Sequence, residues 1–170
     1  MYEVIDNLLP KPYFAEIKNI TESDNFAWYW QDDQINGFKN SNNTFGFAHT
    51  LYRDNKIISD VFTFIKPIVH IFEDKSEIKV KDIFRMQINL STNTHFYDEQ
   101  QANHIDLNED NYKSFILYLD HSDGDTVINN EHHVTPMDNK CVYFNSNVIH
   151  RATPPKHSKR RMVINTILEI

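Results

Sequence analysis

Cysteine, long apolar runs and basic N-terminal residues are all scarce in this chain of 170 residues. Its single cysteine, Cys141, excludes an intrachain disulfide framework and a cluster of thiolate metal ligands. Because Cys141 lies in the apolar run CVYF, we interpret it as a small buried hydrophobic residue. The chain has no run of about 18 uncharged apolar residues, and its N-terminus is acidic where a signal peptide is basic. We therefore expect a soluble, cytoplasmic protein that does not bind a membrane.

Basic residues are also fewer than acidic residues. The chain has 17 Lys and Arg residues against 24 Asp and Glu residues, which gives a formal net charge of −7 at pH 7. The one basic run, KHSKRR at 156–161, is too short to reverse the repulsion between this charge and a polyanion. Broad nucleic-acid binding is therefore not expected.

Helical periodicity occurs in the first half of the chain. The segment KPYFAEIKNI predicts a helix over 11–20, because its apolar residues recur at helical intervals after a proline-flanked start. A broad apolar face predicts a second helix within 59–73, with Ser59 as a candidate cap and Pro67 as a kink or restart. Between these helices, NFAWYW at 25–30 predicts a buried strand.

From residue 84 onward, short apolar stretches separated by Asn, Asp, Ser and Pro predict strands. Since the chain has only three glycines, the turns must use Asn and Asp, which tolerate a left-handed backbone. The eight candidate strands span 84–90, 95–102, 113–119, 126–129, 132–135, 140–145, 147–152 and 160–168. They predict a mainly β protein with N-terminal helices, a double-stranded β-helix or jelly roll. We expect one domain over 1–170, with 1–83 as support and 84–170 as the core jelly roll.

Two of the candidate strands have one apolar face and one polar face. In FRMQINL, the polar face carries Arg85, Gln87 and Asn89. In RMVINTIL, Arg161 and Asn165 share a face, and the opposite face is mainly apolar. Because the apolar faces are expected to pack on helices, the polar faces must either contact water or enclose a charged ligand.

The stretch NHIDLNED places His104 and Asp106 on the same side of an extended backbone, where they can bind one metal ion. Such a pair is expected about 0.8 times by chance, and a second one, His121 and Asp123, is present. Four candidate strands separate the first pair from His150, which in a meander makes the two segments antiparallel neighbours. Three candidate strands separate the second pair from His150, which would make those two segments parallel. The strand count therefore favours the first pair, and turn-forming residues around the second pair favour a hairpin.

Two histidines and one carboxylate on a β scaffold form the facial triad of non-haem Fe(II) oxygenases. With Arg161 on the last strand, the chain resembles the Fe(II)/2-oxoglutarate-dependent dioxygenases, in particular the prolyl-4-hydroxylase-like branch and its small virus-encoded members. VIDNLLPKPYFAEIKNI resembles the family's opening strand and helix, ILYLD its cosubstrate strand, and VTPMDNKCVYFNSNVIHRATPP its closing hairpin. Asn139 and Lys140 stand where the family often has a glycine, and Asn can form that turn. The resemblance covers most of the chain.

The resemblance implies an oxidoreductase with Fe(II) bound by His104, Asp106 and His150, which are its catalytic and metal-binding residues. It implies 2-oxoglutarate as the cosubstrate, O2 as the oxidant and ascorbate as a stimulant. Decarboxylation of 2-oxoglutarate would be coupled to hydroxylation of a substrate C–H bond. The substrate stays open between a prolyl peptide, a small metabolite, a sugar and a modified base. A virus-encoded member would act in the host cytoplasm.

The far C5 carboxylate of 2-oxoglutarate requires a fixed cation. Arg161 can bind it with two charge-assisted hydrogen bonds, and Tyr118, inward on its strand, can add a hydroxyl donor. Asn89 corresponds loosely to a family position that contacts the cosubstrate. Arg160 and Arg161 cannot both point inward on one strand. We assign the role to Arg161, which follows His150 by 161 − 150 = 11 residues, enough for one turn and a return strand.

Two other functions fit the same residues. A jelly-roll binding or structural module would use the fold without chemistry, and a cupin-like metalloenzyme would share the metal site without needing Arg161. We expect the polar loops at 31–45 and 91–103 to form the rim of the pocket. The other histidines are interpreted as surface or structural polar groups: His49, His70, His95, His132, His133 and His157.

Overall fold

A computed structural model describes residues 1–32, 45–93 and 102–170. These residues form two β-sheets and three helices. The strands are β1 (Tyr2–Ile5), β2 (Tyr29–Gln31), β3 (Gly46–Arg53), β4 (Lys56–Ile57), β5 (Asp82–Thr92), β6 (Tyr112–Tyr118), β7 (Thr126–Ile128), β8 (His132–Val134), β9 (Cys141–Asn145), β10 (His150–Ala152) and β11 (Arg160–Glu169). The helices are α1 (Lys11–Thr21), α2 (Val61–Ile65) and α3 (Ile68–Ser76). The predicted strand at 95–102 and most of the two predicted rim loops lie outside the described residues.

The two sheets are antiparallel and pack against each other. The larger sheet has the order β1-β9-β6-β11-β5-β3-β2, with β4 paired to β3, and the smaller sheet has the order β10-β7-β8. Side chains from both sheets meet in a small apolar core made of Ile116, Tyr118, Ile128, Val134, Val142, Phe144 and Val163. This arrangement is a double-stranded β-helix, so the predicted fold class is confirmed.

The helices contribute to a second, larger core with the other face of the larger sheet. The helix predicted at 11–20 is confirmed as α1, in which Phe14 and Ile17 are buried. Pro67 directly precedes α3, which confirms the predicted restart. The helix α2 begins later than expected, because Asp60 is its N-cap, although the Ser59 hydroxyl still accepts the Val61 N–H at 3.3 Å. None of the described helices is long and apolar enough to cross a membrane.

Two features of the first half differ from the prediction. The buried strand predicted at 25–30 is wrong: β2 is short, and Tyr29 and Trp30 are 59% and 53% exposed. The reason is its place at the end of the strand order, where, among the described strands, it pairs with β3 alone. The strand β3 was not predicted, because polar residues interrupt its apolar pattern. One of them, His49, is buried between a backbone carbonyl and the Ser59 hydroxyl.

Asn and Asp supply most of the left-handed turns, as predicted. The described non-glycine residues with positive φ are Asn7, Asp54, Asn55, Glu77, Asn129, Asn130 and Asn139. At Asn139, φ is 61°. Its side-chain amide also exchanges two hydrogen bonds of 2.8 Å with the backbone of Leu9. Asn139 therefore forms the turn before β9 and fixes the segment that leads into α1.

Candidate metal centre

The three candidate ligands converge beside β10. His104 and His150 form an isolated antiparallel bridge, with N–H···O distances of 2.9 Å in both directions. Two residues on, the Asp106 N–H donates to the Ser146 carbonyl at 2.9 Å. One possible ligand atom from each side chain lies within 4.8 Å of the others. Four strands, β6 to β9, separate the two histidines, so the antiparallel neighbours predicted from the strand count are confirmed.

Each imidazole has one nitrogen occupied by a backbone carbonyl. His104 Nδ1 lies 3.2 Å from the Ala102 oxygen, and His150 Nδ1 lies 2.9 Å from the Val148 oxygen. Because a carbonyl oxygen only accepts, each Nδ1 carries a proton, and Nε2 is the ring nitrogen that can bind a metal. The ring centroids are 4.3 Å apart. Two candidate nitrogen ligands therefore lie in one small volume.

The carboxylate of Asp106 is held on both oxygens. Its Oδ1 accepts from Arg85 Nη2 at 3.2 Å, while its Oδ2 accepts from the Ser114 hydroxyl at 2.6 Å and lies 3.6 Å from His150 Nε2. Burial raises the pKa of Asp106, but the charges of His150 and Arg85 and the Ser114 hydrogen bond outweigh it. The pKa therefore lies below its usual value, and the side chain is ionised at neutral pH.

Burial also determines the charge of the His104 imidazole. Together with the charge of His150, it lowers the pKa of His104 below its usual value, although Asp106 acts in the opposite direction. At pH 7 the His104 imidazole is therefore neutral, which is the form that binds a metal. Two imidazole nitrogens and one carboxylate oxygen are the donor set of the 2-His-1-carboxylate triad.

The second His-x-Asp pair lies elsewhere and makes other contacts. His121 Nδ1 lies 2.9 Å from the Met137 sulfur. The Asp123 carboxylate accepts three backbone N–H groups from residues 156–158. The predicted hairpin is wrong, because residues 119–125 connect β6 of the larger sheet to β7 of the smaller sheet. The turn-forming residues there carry the chain between sheets instead of reversing it within one.

The two adjacent arginines point in opposite directions. Arg161 is 5% exposed, and it donates from Nε to the Gly124 carbonyl at 2.8 Å and from Nη2 to the Thr126 hydroxyl at 2.7 Å. Its guanidinium lies 5.6 Å from the ring centroid of Tyr118. Arg160 instead pairs with two carboxylates, and its side chain is 40% exposed. Arg161 is therefore the inward arginine of β11.

The described environment of Arg161 contains hydroxyl groups, and its hydrogen bonds are to uncharged oxygens. Tyr118 is fully buried, and its hydroxyl lies 2.7 Å from the Thr126 Oγ1. Burial raises the pKa of Tyr118 to about 12, which keeps the phenol protonated. Among the described residues, no carboxylate forms an ion pair with Arg161. In this part of the chain the buried guanidinium is thus not paired directly with a carboxylate, although the charges of Asp120 and Asp125 act on it.

The polar face of β5 lies next to β11, which carries Arg161 and also pairs with β6, the strand of Tyr118. Asn89 pairs in register with Val163 of β11, which also pairs with Tyr118 of β6. Asn89 and Tyr118 therefore flank the same residue on neighbouring strands. The Asn89 Oδ1 accepts from Gln87 Nε2 at 2.8 Å. Asn89 accordingly lies near the predicted cosubstrate residues, within a row of side-chain amides.

Arg85 was not singled out from the sequence, although its polar face was recognised. The signal that points to it is a requirement of charge: a buried carboxylate needs a cation, and Arg85 is inward on β5. In the described part of the chain, Arg85 Nε and Asn165 Oδ1 are buried without a hydrogen-bond partner. The interior thus retains one donor and one acceptor for a polar ligand or a water molecule.

Comparison with known proteins finds a family model that matches the C-terminal part of the chain. The family model of the 2OG-Fe(II) oxygenase superfamily matches residues 91–169. This segment contains His104, Asp106, His150 and Arg161. No curated protein sequence matches the chain significantly.

Solved structures share the fold at low sequence identity. A prolyl-4-hydroxylase from Pseudomonas putida has a TM-score of 0.64 at 12% identity, with 99% of this chain and 92% of that chain covered. An oxidoreductase of the 2OG-Fe(II) oxygenase family from Burkholderia pseudomallei has a TM-score of 0.76 at 12% identity, with coverage of 99% and 84%. A viral collagen prolyl hydroxylase from Paramecium Bursaria Chlorella virus-1 has a TM-score of 0.57 at 13% identity, with coverage of 99% and 90%.

The family match and the shared fold agree with each other. The matched segment contains the His-Asp-His group and the buried arginine, and these lie inside a double-stranded β-helix. The superfamily uses Fe(II), 2-oxoglutarate and O2. Residues 91–169 therefore match the 2OG-Fe(II) oxygenase superfamily, and the chain shares its fold with solved 2OG-Fe(II) oxygenases.

Proposed function

We propose that this oxygenase binds Fe(II) through His104, Asp106 and His150 and binds 2-oxoglutarate through Arg161 and Tyr118. In this proposal it hydroxylates a C–H bond of a peptide or a small molecule. One observation carries the proposal: a His-Asp-His group and a buried guanidinium, which has no carboxylate partner in the described part of the chain, both border the small core between the two sheets.

The three side chains fit a divalent transition metal. The backbone carbonyls bind the two Nδ1 atoms, so Nε2 of each ring is the nitrogen that can bind the metal, and the carboxylate of Asp106 is ionised. Arg85 and Ser114 hold that carboxylate from two strands of the larger sheet. Because these contacts fix the side chain before a metal binds, less conformational freedom is lost on binding.

The surroundings of Arg161 fit one end of a dicarboxylate. Burying a charged group without a counter-ion is unfavourable, so an anionic ligand is expected beside this guanidinium. Thr126, which accepts from Arg161, pairs in register with Ala152 of β10. His150 lies two residues away on that strand, a separation of about 7 Å. A five-carbon dicarboxylate can therefore contact the arginine at one end and reach the triad with the other.

Bound Fe(II) and 2-oxoglutarate supply a reaction with O2 that yields succinate and CO2 and transfers one oxygen atom to a C–H bond as a hydroxyl. The side chains of this chain contribute binding and orientation. The protonated phenol of Tyr118 can donate a hydrogen bond to the distal carboxylate. Apolar residues of both sheets, among them Ile116 and Val142 of the larger sheet and Ile128 and Val134 of the smaller sheet, form the wall of the interior.

Release of succinate tests the proposed function. The purified protein with Fe(II), ascorbate and 2-oxoglutarate should form succinate slowly even without its substrate. His104→Ala should abolish this turnover, whereas His121→Ala, which changes an exposed histidine outside the centre, should not. A wild-type protein that neither binds 2-oxoglutarate by calorimetry nor forms succinate would instead be a binding module or a cupin-like metalloenzyme.

The substrate class requires a separate experiment. Peptides and metabolites from cells that contain the wild-type enzyme should be compared with those from cells that contain His104→Ala. The expected difference is a compound heavier by one oxygen atom, present only with the wild-type enzyme. Its identity decides between a peptide and a small molecule.

A further inference from the structure

The loop that follows the second His-x-Asp pair holds the inward arginine. The Gly124 carbonyl accepts from Arg161 Nε at 2.8 Å, and the Thr126 hydroxyl accepts from Arg161 Nη2 at 2.7 Å. The aliphatic part of Arg161 also packs on this loop, since its Cδ would lie 3.1 Å from a Cβ at position 124. One short segment therefore sets the position of both the side-chain stem and the guanidinium plane.

The same loop is hydrogen-bonded at two points to the segment 153–158, which leads into β11. The Asp123 carboxylate accepts three consecutive backbone N–H groups ending at Ser158, at 3.2, 2.8 and 3.0 Å. The Asp123 N–H donates in return to the Ser158 hydroxyl at 3.2 Å. On the other side of Gly124, the Asp125 carbonyl accepts the Thr153 N–H at 2.9 Å.

Between these two sets of hydrogen bonds, only glycine fits at position 124. A Cβ there would lie 2.6 Å from the Thr153 carbonyl oxygen and 3.0 Å from the Pro155 nitrogen. Both are backbone atoms, so no side-chain rotation can relieve the overlap. A larger residue at position 124 must separate the two segments, and this moves the carbonyl that orients Arg161.

We infer that Gly124 is a positioning residue for the cosubstrate arginine and that the Asp123 contacts hold it in place. This inference rests on the proposed function, because it assumes that Arg161 binds the C5 carboxylate. The loop contacts Arg161 and lies apart from the three candidate ligands. It therefore contributes to the preference for 2-oxo acids with a distal carboxylate and not to binding of the metal.

The test compares two cosubstrates that share the same metal-binding end. 2-Oxoglutarate and 2-oxobutyrate, which lacks the distal carboxylate, are titrated into the Mn(II)-loaded protein by calorimetry. Wild-type protein should bind 2-oxoglutarate much more tightly. In Gly124→Ala, the Kd for 2-oxoglutarate should rise about tenfold, while the Kd values for 2-oxobutyrate and Mn(II) stay unchanged. Thermal unfolding checks that the variant is folded.

A second pair of variants covers the case in which Gly124→Ala does not fold. Asp123→Ala removes the carboxylate hydrogen bonds of an exposed residue and should weaken 2-oxoglutarate binding about threefold, again without an effect on 2-oxobutyrate. Asp138→Ala, an exposed aspartate that pairs with Lys18, is the matched control and should change neither Kd.

The outcomes separate this inference from the proposed function. If the wild-type protein binds both acids equally, Arg161 does not bind a distal carboxylate, and the proposed function fails with the inference. If the wild-type protein discriminates but folded Gly124→Ala and Asp123→Ala discriminate equally well, the proposed function stands and the inference is wrong. An equal loss of both acids in Gly124→Ala would also overturn it.

Discussion

The assignment of Arg161 to the cosubstrate can be tested against its neighbour. We consider the pair Arg161→Met and Arg160→Met, because methionine keeps an unbranched stem and removes only the guanidinium. Arg161 is 5% exposed and points between the sheets, whereas the Arg160 side chain is 40% exposed and pairs with Asp120 and Glu22. The two substitutions therefore change the same chemistry on opposite faces of β11.

The size of the effect follows from the contacts that are lost. A charge-assisted hydrogen bond contributes about 1.5–3 kcal/mol, which corresponds to a roughly 10- to 100-fold change in Kd. Arg161→Met should weaken 2-oxoglutarate binding by this factor and leave metal affinity unchanged. Arg160→Met should leave both unchanged, since a partly exposed ion pair contributes little. The Kd values are measured by titrating 2-oxoglutarate into the Mn(II)-loaded variants. A large loss confined to Arg160→Met would refute the assignment.

Three further predictions concern stability. Arg85→Met leaves the buried Asp106 carboxylate without its cation, so the free energy of unfolding of the metal-free protein should fall by about 3 kcal/mol in urea titrations. Saturating Mn(II) should restore part of this stability. An equal loss with and without metal would contradict this role of Arg85. Asn139→Ala loses a left-handed turn residue and two hydrogen bonds to Leu9, which should cost about 3 kcal/mol, and Asn139→Gly should cost less because it keeps the turn. For Asp123, burial raises the pKa, but hydrogen bonds from Ser158 and His157 lower it to about 2 from 3.8. The Asp123 carboxylate therefore stabilises the fold above pH 3.8 and loses this effect as the pH falls through 2. The difference in unfolding free energy between the wild type and Asp123→Asn should therefore vanish over that interval. A difference that is unchanged at pH 2 would contradict this prediction.

The parts of the site that could be predicted from the sequence depend on short-range rules. Alternation along a strand separates the inward Arg161 from Arg160, because successive side chains point to opposite faces. The strand count made His104 and His150 antiparallel neighbours, since each reversal in an antiparallel sheet changes the direction of the chain. Strand alternation does not depend on the loops, and the strand count gives the right relative direction here although the loop at 119–125 crosses between the sheets.

The remaining features depend on contacts between distant segments. The pairing of Arg85 with Asp106 requires the relative placement of β5 and the segment after residue 101, which no local pattern contains. The exposure of Trp30 depends on the position of β2 at the sheet edge. The loop at 119–125 has the composition of a hairpin, yet it crosses between sheets because the tertiary fold, and not the turn residues, determines where the next strand pairs.

The central claim is that His104, Asp106 and His150 form one centre that holds Fe(II) together with 2-oxoglutarate. The most direct measurement is the visible absorption spectrum of the anaerobic protein with Fe(II) and 2-oxoglutarate. The wild-type protein should develop a weak metal-to-ligand charge-transfer band, and His150→Ala should not, although it remains folded. His121→Ala should keep the band. A band that persists in His150→Ala, or one that is lost in His121→Ala, would contradict the account.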